Sequence, residues 1–287
     1  MSPKKKNIKE QTKESWWQLI PILVAMVVVP LVVKFQIADT HLEQYAWFPE
    51  VAQYPDMFSC VKRDIIEILD AVLLAGLLYL AYKKKIPKNI ALIPLEIYFT
   101  LIVLSSIVTV NPDITWNGMQ EMRESAFVLM GYCLIFLYTY AVVETEKHVK
   151  IIMFAFFVTA ALVCLIGVFQ FLGVNPIMTD FGKSLIFSKE YQGYADGLVQ
   201  TNTEVSSTLF HPNYMGIYCC ILIPIVCMLL FSMKQKSWMI LGYIVLLGMA
   251  FVCVMGADSN TAMIILMPFC IFLFFFLSQV APITRTA

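Results

Sequence analysis

Two short stretches carry the side chains best suited to chemistry. In NPDITWNGMQEMRES, Trp116, Gly118, Glu121, Arg123 and Glu124 fall within nine residues. Arg123 offers a fixed positive charge on a planar donor fork, which suits phosphate or pyrophosphate. It equally fits a local ion pair with Glu124 flanking a helix start. In SSTLFHPNYMGIY, Pro212 lacks an N–H and has a preset φ, so it belongs in a first helical turn. The unpaired N–H groups of that turn and the positive end of the helix dipole are matched to an anion. His211, Asn213 and Tyr214 stand beside it. The plainer reading is a helix start with Tyr214 as an interfacial anchor, and residues 208–211 at the water boundary.

Other candidates are more scattered. Residues 173–211 form a long polar loop, in which Lys183, Lys189, Asp180, Glu190, Asp196 and Glu204 alternate with Phe181, Phe187, Tyr191 and Tyr194. Aromatic rings beside carboxylates suit sugars, whose C–H faces stack while their hydroxyls take hydrogen bonds. A solvated loop with membrane-facing rings has the same composition. Asp258 sits in a tight turn at 257–260. Glu67 and Asp70, one helical turn apart, read as interfacial groups or as part of a site, with the interface favoured, and His148 as a solvated residue. Glu96 lies inside an apolar run and is the residue a proton-coupled transporter would use.

The elements that must hold these residues are membrane helices. Hydrophobic residues make up 60% of the 287, charged residues 14%, and the mean hydropathy is +0.76, against a charged fraction of about 25% in soluble domains. The expected class is an all-α, polytopic membrane protein. Apolar runs at 16–33, 65–82, 90–110, 126–143, 151–172, 213–232, 238–256 and 261–280 each approach the ~20 residues that cross ~30 Å of hydrocarbon. Eight spans with a cytoplasmic N-terminus put fourteen Lys and Arg inside and six outside, as the positive-inside rule requires. Both termini are then cytoplasmic, and residues 111–125, 173–211 and 257–260 face outward. An enzyme on that face has no ATP and needs a substrate already activated and anchored in lipid.

Several classes are excluded by pattern. Balanced charge, with 20 basic and 20 acidic residues, argues against nucleic acid as a partner. Seven of eight cysteines lie in apolar runs, where the thiol acts as a small hydrophobe; Cys60 is expected in a loop. Metal-ligand spacing, a phosphate-binding glycine loop and a G-x-S-x-G elbow are all missing from the sequence.

Taken together, WNGMQEMRES before one span, TLFHPNYMGIY opening a later one, and the short hairpin at 258–262 resemble the O-antigen ligase and O-antigen polymerase superfamily. Its members carry a W-G-x-x-x-R-x-E-like stretch and a T-L-x-N-P-N-Y-x-G stretch in this order. The resemblance covers residues 90–270 and implies a glycosyltransferase of the bacterial plasma membrane. Such an enzyme moves a glycan from an undecaprenyl-pyrophosphate carrier to a glycan, lipid or protein acceptor in cell-surface polysaccharide biosynthesis, with no metal or other cofactor. By motif position Arg123 stabilises the departing pyrophosphate. Trp116, His211, Asn213, Tyr214, Lys183 and Asp258 line the substrate site, with His211 where the family more often has Asn. Two arginines common in the family are replaced by Glu204-Val205-Ser206 and Ser259-Asn260-Thr261. The family continues through further spans and a large outer loop, so the expected organisation is one membrane domain, 1–287, forming the N-terminal part of a longer protein. The competing classes are a transporter or flippase subunit for lipid-linked sugars and a nonenzymatic envelope-assembly protein.

Overall fold

The structure is a computed structural model that describes residues 16–48, 52–86, 89–120, 122–195, 204–230 and 237–280, the last eight as backbone only. Glu121, Asp196, Lys88, Lys234, Lys236, Arg285 and the N-terminal lysines lie outside these residues. In chain order come α1 (Trp16–Leu31), strands β1 (Gln36–Asp39) and β2 (Gln53–Asp56), α2 (Ser59–Tyr82), α3 (Ile90–Ile107) and a short α4 (Pro112–Asn117). They are followed by α5 (Ala126–Val142), α6 (Glu146–Phe171), α7 (Asp180–Ile186), α8 (Gln192–Ala195), α9 (Pro212–Leu230), α10 (Ser237–Ala257) and α11 (Asn260–Val280).

Five of these helices, α2, α3, α6, α9 and α10, are long and apolar enough to cross a membrane. The 24 residues of α2 span about 36 Å at 1.5 Å per residue. Three further apolar helices, α1, α5 and the 260–272 part of α11, are shorter. The protein is therefore a multi-pass helical membrane protein, and its exposed Ile, Leu, Val and Phe side chains face the lipid that such helices require.

Local chemistry sets where the helices begin. The Ser125 hydroxyl accepts from Val128 N at the start of α5, and the Thr145 hydroxyl from His148 N at the start of α6. Each satisfies one of the donors a helix start leaves free. Asp56 does this for α2, accepting from Cys60 N at 2.9 Å. Cys60 thus lies in the first turn of α2, buried, and not in a loop. Pro212 opens α9 as its fixed φ favours. At the other extreme α1 ends beside Pro30, with Val32 already extended at ψ 129°, and the Pro30 carbonyl is left to accept bonds from elsewhere.

Two large apolar clusters join most of the helices, and a smaller one packs Ile102 of α3 on Ala126 and Cys133 of α5. Of the large two, one packs Leu69, Leu73, Leu77 and Leu80 of α2 against Tyr138, Ala141 and Val142 of α5 and Leu19 and Ile22 of α1. The 4-4-3 spacing of the leucines keeps them on one face. The other joins α6, α9, α10 and α11 through Ala160, Cys164, Cys219, Cys253, Ala250 and Ala262. Small side chains let membrane helices approach closely, where lipid supplies no hydrophobic drive. All eight cysteines are free, and only Cys270 is exposed. His148 is another correction: it is buried, with Nδ1 3.2 Å from the Val142 carbonyl.

Over one end of the bundle lies a feature that hydropathy did not show. Strands β1 and β2 pair antiparallel, Gln36 with Asp56 through Asp39 with Gln53. Phe35 stacks on Phe187 at 4.7 Å, and Phe35 N donates to Ile186 O, so the hairpin root is tied to the long loop through α7.

The tail of that loop enters the bundle. Val205 is 0% exposed, and its N–H donates to Gly256 O at 2.8 Å. A Cβ on Gly256 would fall 2.5 Å from Val205, so glycine is what lets α10 admit the segment. Gln170 brackets the next turn: its Oε1 accepts from Ser207 N at 2.7 Å and its Nε2 donates to Ser207 O at 3.5 Å. Thr208 is buried too, so residues 208–211 do not all sit at a water boundary.

Candidate functional site

Alternating helices bring four chain segments to this end. The last turn of α1 supplies Val29 and Pro30, and the first turns of α2 supply Phe58, Lys62, Arg63 and Ile66. The entry to α5 supplies Met122, Arg123, Glu124 and Tyr132, and the turn into α9 supplies Leu209, Phe210, Tyr214 and Tyr218. Together with Ser59 and Val128 they line a cavity of about 280 Å³. Three cations and one carboxylate occur in a wall that is otherwise aromatic and aliphatic.

Arg123 is 2% exposed and sits at φ +53°, a conformation uncommon for a residue with a Cβ. Its Nε donates to the Tyr54 hydroxyl at 2.7 Å and its Nη2 to the Asp39 carbonyl, with the guanidinium 5.2 Å from the Tyr54 ring centre. Both partners belong to the hairpin. Arg123 therefore joins the strands to the entry of α5 while contributing to the cavity wall. It does not pair with Glu124: that carboxylate has no hydrogen bond or ion pair among the described residues. Gly118 makes the bend possible, since at φ +76° a Cβ there would lie 2.5 Å from the Arg123 carbonyl carbon.

Lys62 is held differently. Its ammonium donates to Thr208 O and, at 3.5 Å, to Pro30 O, the carbonyl that α1 leaves unpaired. The Thr208 hydroxyl donates to the same Pro30 O at 2.7 Å. No carboxylate pairs with Lys62 among the described residues. Arg63 is largely neutralised by Asp64 at 2.7 Å and Glu67 at 3.8 Å. The unneutralised charge on the cavity wall is thus carried mainly by Lys62 and Arg123, whose partners are dipoles. Dipoles orient a cation without cancelling it, so the pair can still attract an anion.

Compared with family models, curated proteins and solved structures, the chain matches none. The arrangement of the residues therefore carries the functional argument alone.

Of the seven site residues expected from sequence, Arg123 and Tyr214 line the cavity. Asn213 turns aside, its Oδ1 accepting from the Ser259 hydroxyl at 2.8 Å. This ties the start of α9 to the hairpin that holds Asp258, exposed at φ +45°. His211 is exposed, and its Nδ1 accepts from Asn213 N at 3.1 Å as a local cap. Trp116 packs on Phe127 at 5.1 Å, and Lys183 lies in α7; neither reaches the cavity lining. Glu96 is exposed near the start of α3 and is also outside it.

The additions are Lys62, Arg63, Glu124, Tyr132 and Tyr218. A signal for the first two was present: VKRD opens the second apolar run as MRES opens the fourth, so both basic groups enter the bundle from the same side. Asp70 lies one turn beyond Ile66, with Oδ1 buried and unpartnered; a Cβ on Gly131 would fall 2.3 Å from that oxygen. Glu67, one turn nearer the cavity, accepts from the Ser125 hydroxyl at 3.4 Å. Outside the spans, the Tyr45 phenol is held above its ordinary pKa, first by partial desolvation and then by Asp113, to which it donates at 2.9 Å.

Proposed function

We propose that the protein is a glycosyltransferase of the O-antigen ligase or polymerase type, acting at the outer face of a bacterial plasma membrane on a glycan carried by a polyprenyl pyrophosphate. In this reading eight helices span the membrane, both termini are cytoplasmic, and the cavity opens outward. One observation carries it: Lys62, Arg63 and Arg123 converge in a cavity whose remaining wall is mostly apolar and aromatic. A diphosphate needs the cations, a prenyl chain the aliphatic wall between helices, and a sugar ring the tyrosines and phenylalanines. Arg123 and Lys62 hold the diphosphate, and stabilise the charge that grows on it as the sugar leaves. Undecaprenyl pyrophosphate is the carrier implied by the motif resemblance, and the acceptor is a glycan, lipid or protein.

Binding of farnesyl pyrophosphate by the purified protein, measured against farnesol, tests this. Lys62→Met is expected to weaken farnesyl pyrophosphate about ten- to hundredfold, the equivalent of one lost charge-assisted contact of ~1.5–3 kcal/mol, and to leave farnesol unchanged. Equal loss of both, or no loss, rejects a diphosphate at Lys62.

A carrier for lipid-linked sugars is the second reading, favoured by the buried unpartnered oxygen of Asp70, since intramembrane carboxylates mark transport paths. Uptake of a labelled lipid-linked sugar into vesicles, lost in Asp70→Asn, would replace the transferase reading with this one.

A further inference from the structure

We infer that Glu124 is the general base of the cavity, the group that takes the proton from the attacking acceptor hydroxyl. The inference rests on the transferase reading above and deepens it. Donor and acceptor chemistry place opposite demands on one site. The donor's diphosphate needs fixed positive charge, whereas the acceptor hydroxyl must lose a proton as it attacks and so needs an ionised base within hydrogen-bond reach.

The cavity wall divides along those lines. Lys62, Arg63 and Arg123 are its cations, and Glu124 is the only carboxylate lining it among the described residues. The adjacent arginine does not engage Glu124, because its guanidinium is committed to Tyr54 and the Asp39 carbonyl. The carboxylate is exposed and makes no hydrogen bond or ion pair among the described residues, so it is free to accept one. Its charge acts on Tyr132 and Tyr214, two phenols of the same wall that can seat a sugar acceptor. The turn at Arg123, at φ +53°, separates the directions of the two neighbouring side chains and lets one motif serve both substrates.

The step balances without a cofactor. The acceptor oxygen forms a bond to the anomeric carbon, and the bond from that carbon to the diphosphate oxygen breaks. Its electron pair leaves with the polyprenyl pyrophosphate, held by Lys62 and Arg123, and the hydroxyl proton passes to a Glu124 carboxylate oxygen. The leaving diphosphate or water then removes that proton.

The test compares wild type, Glu124→Gln and Glu124→Asp, reconstituted in proteoliposomes with a polyprenyl-pyrophosphate-linked oligosaccharide and a soluble oligosaccharide acceptor. Glu124→Gln is expected to lower kcat about 100-fold or more, the usual worth of a positioned base, with donor KM and farnesyl pyrophosphate affinity within twofold of wild type. Glu124→Asp keeps a measurable rate. The charged and phenolic groups that share the cavity wall with Glu124 are Lys62 and Arg63 of α2, Arg123 and Tyr132 of its own segment, and Tyr214 and Tyr218 of α9. The α1 part of the lining, Val29 and Pro30, is uncharged. An unchanged kcat in Glu124→Gln, or a loss confined to donor KM, overturns the assignment while leaving the transferase reading intact. No transfer by the wild type, with farnesyl pyrophosphate still bound, overturns both.

Discussion

At the scale of single residues, the two cations that carry the charge of the cavity wall, Lys62 and Arg123, do different work, and only Arg123 stood out in the sequence. Arg123 uses its planar fork to hold Tyr54 and the Asp39 carbonyl, so it is a structural clasp as well as a candidate anion ligand. Arg123→Lys keeps the charge but cannot reproduce two divergent hydrogen bonds. It is expected to lower the unfolding midpoint while retaining farnesyl pyrophosphate binding within about tenfold, as one charge-assisted contact is worth. Tyr54→Phe removes the Nε partner together with the hydroxyl's bond to Cys60 Sγ, and is expected to cost about 2 kcal/mol of stability, with anion binding kept. Thermal unfolding and ligand titration of the two variants separate the roles: binding lost in Arg123→Lys without destabilisation would show that the guanidinium fork is needed by the ligand and not by the hairpin.

Elements decide whether these side chains meet. The entry to α5 can bend toward the hairpin only because Gly118 accepts φ +76° with the Arg123 backbone against it. Gly118→Ala combines an unfavourable conformation with a backbone clash, and a penalty of about 1–3 kcal/mol is expected for the strain alone. The readout is the folded fraction on size exclusion and the farnesyl pyrophosphate affinity of what remains folded; full affinity at wild-type stability would mean the turn is not what places Arg123. The segment at 205–208 acts similarly for α9. Val205 fills the space left by Gly256, Gln170 fixes Ser207, and the Thr208 carbonyl receives the Lys62 ammonium. The long polar loop is therefore anchored at its end by backbone bonds inside the bundle, a role that its composition does not announce.

For the whole molecule, helices running alternately up and down gather the last turn of α1 and the first turns of α2, α5 and α9 around one cavity. If that end faces outward, single cysteines placed at Lys183 or Asp258 in a background without native cysteines should react with a membrane-impermeant maleimide in intact cells. A cysteine at Lys84 should react only after lysis. The reverse pattern would put the cavity on the cytoplasmic side, where an ATP-independent lipid-linked donor is no longer required.

The sequence by itself determined the class of the protein and the positions of its apolar helices, because lipid demands long apolar segments with internally bonded backbones, and that demand is written in local composition. It also marked Arg123 and Tyr214, whose motifs sit where helices begin. Partners were decided only by the tertiary structure. Nothing local says that Arg123 turns from Glu124 to Tyr54, 69 residues away, that Lys62 reaches Thr208 across 146, or that Asn213 is spent on Ser259. The β-hairpin escaped for a related reason: each strand has four residues, too few for a period of two to stand out, and its pairing is satisfied by distant contacts. Hydropathy is summed along the chain, whereas a site is assembled across it, so the apolar helices were legible and the cavity was not.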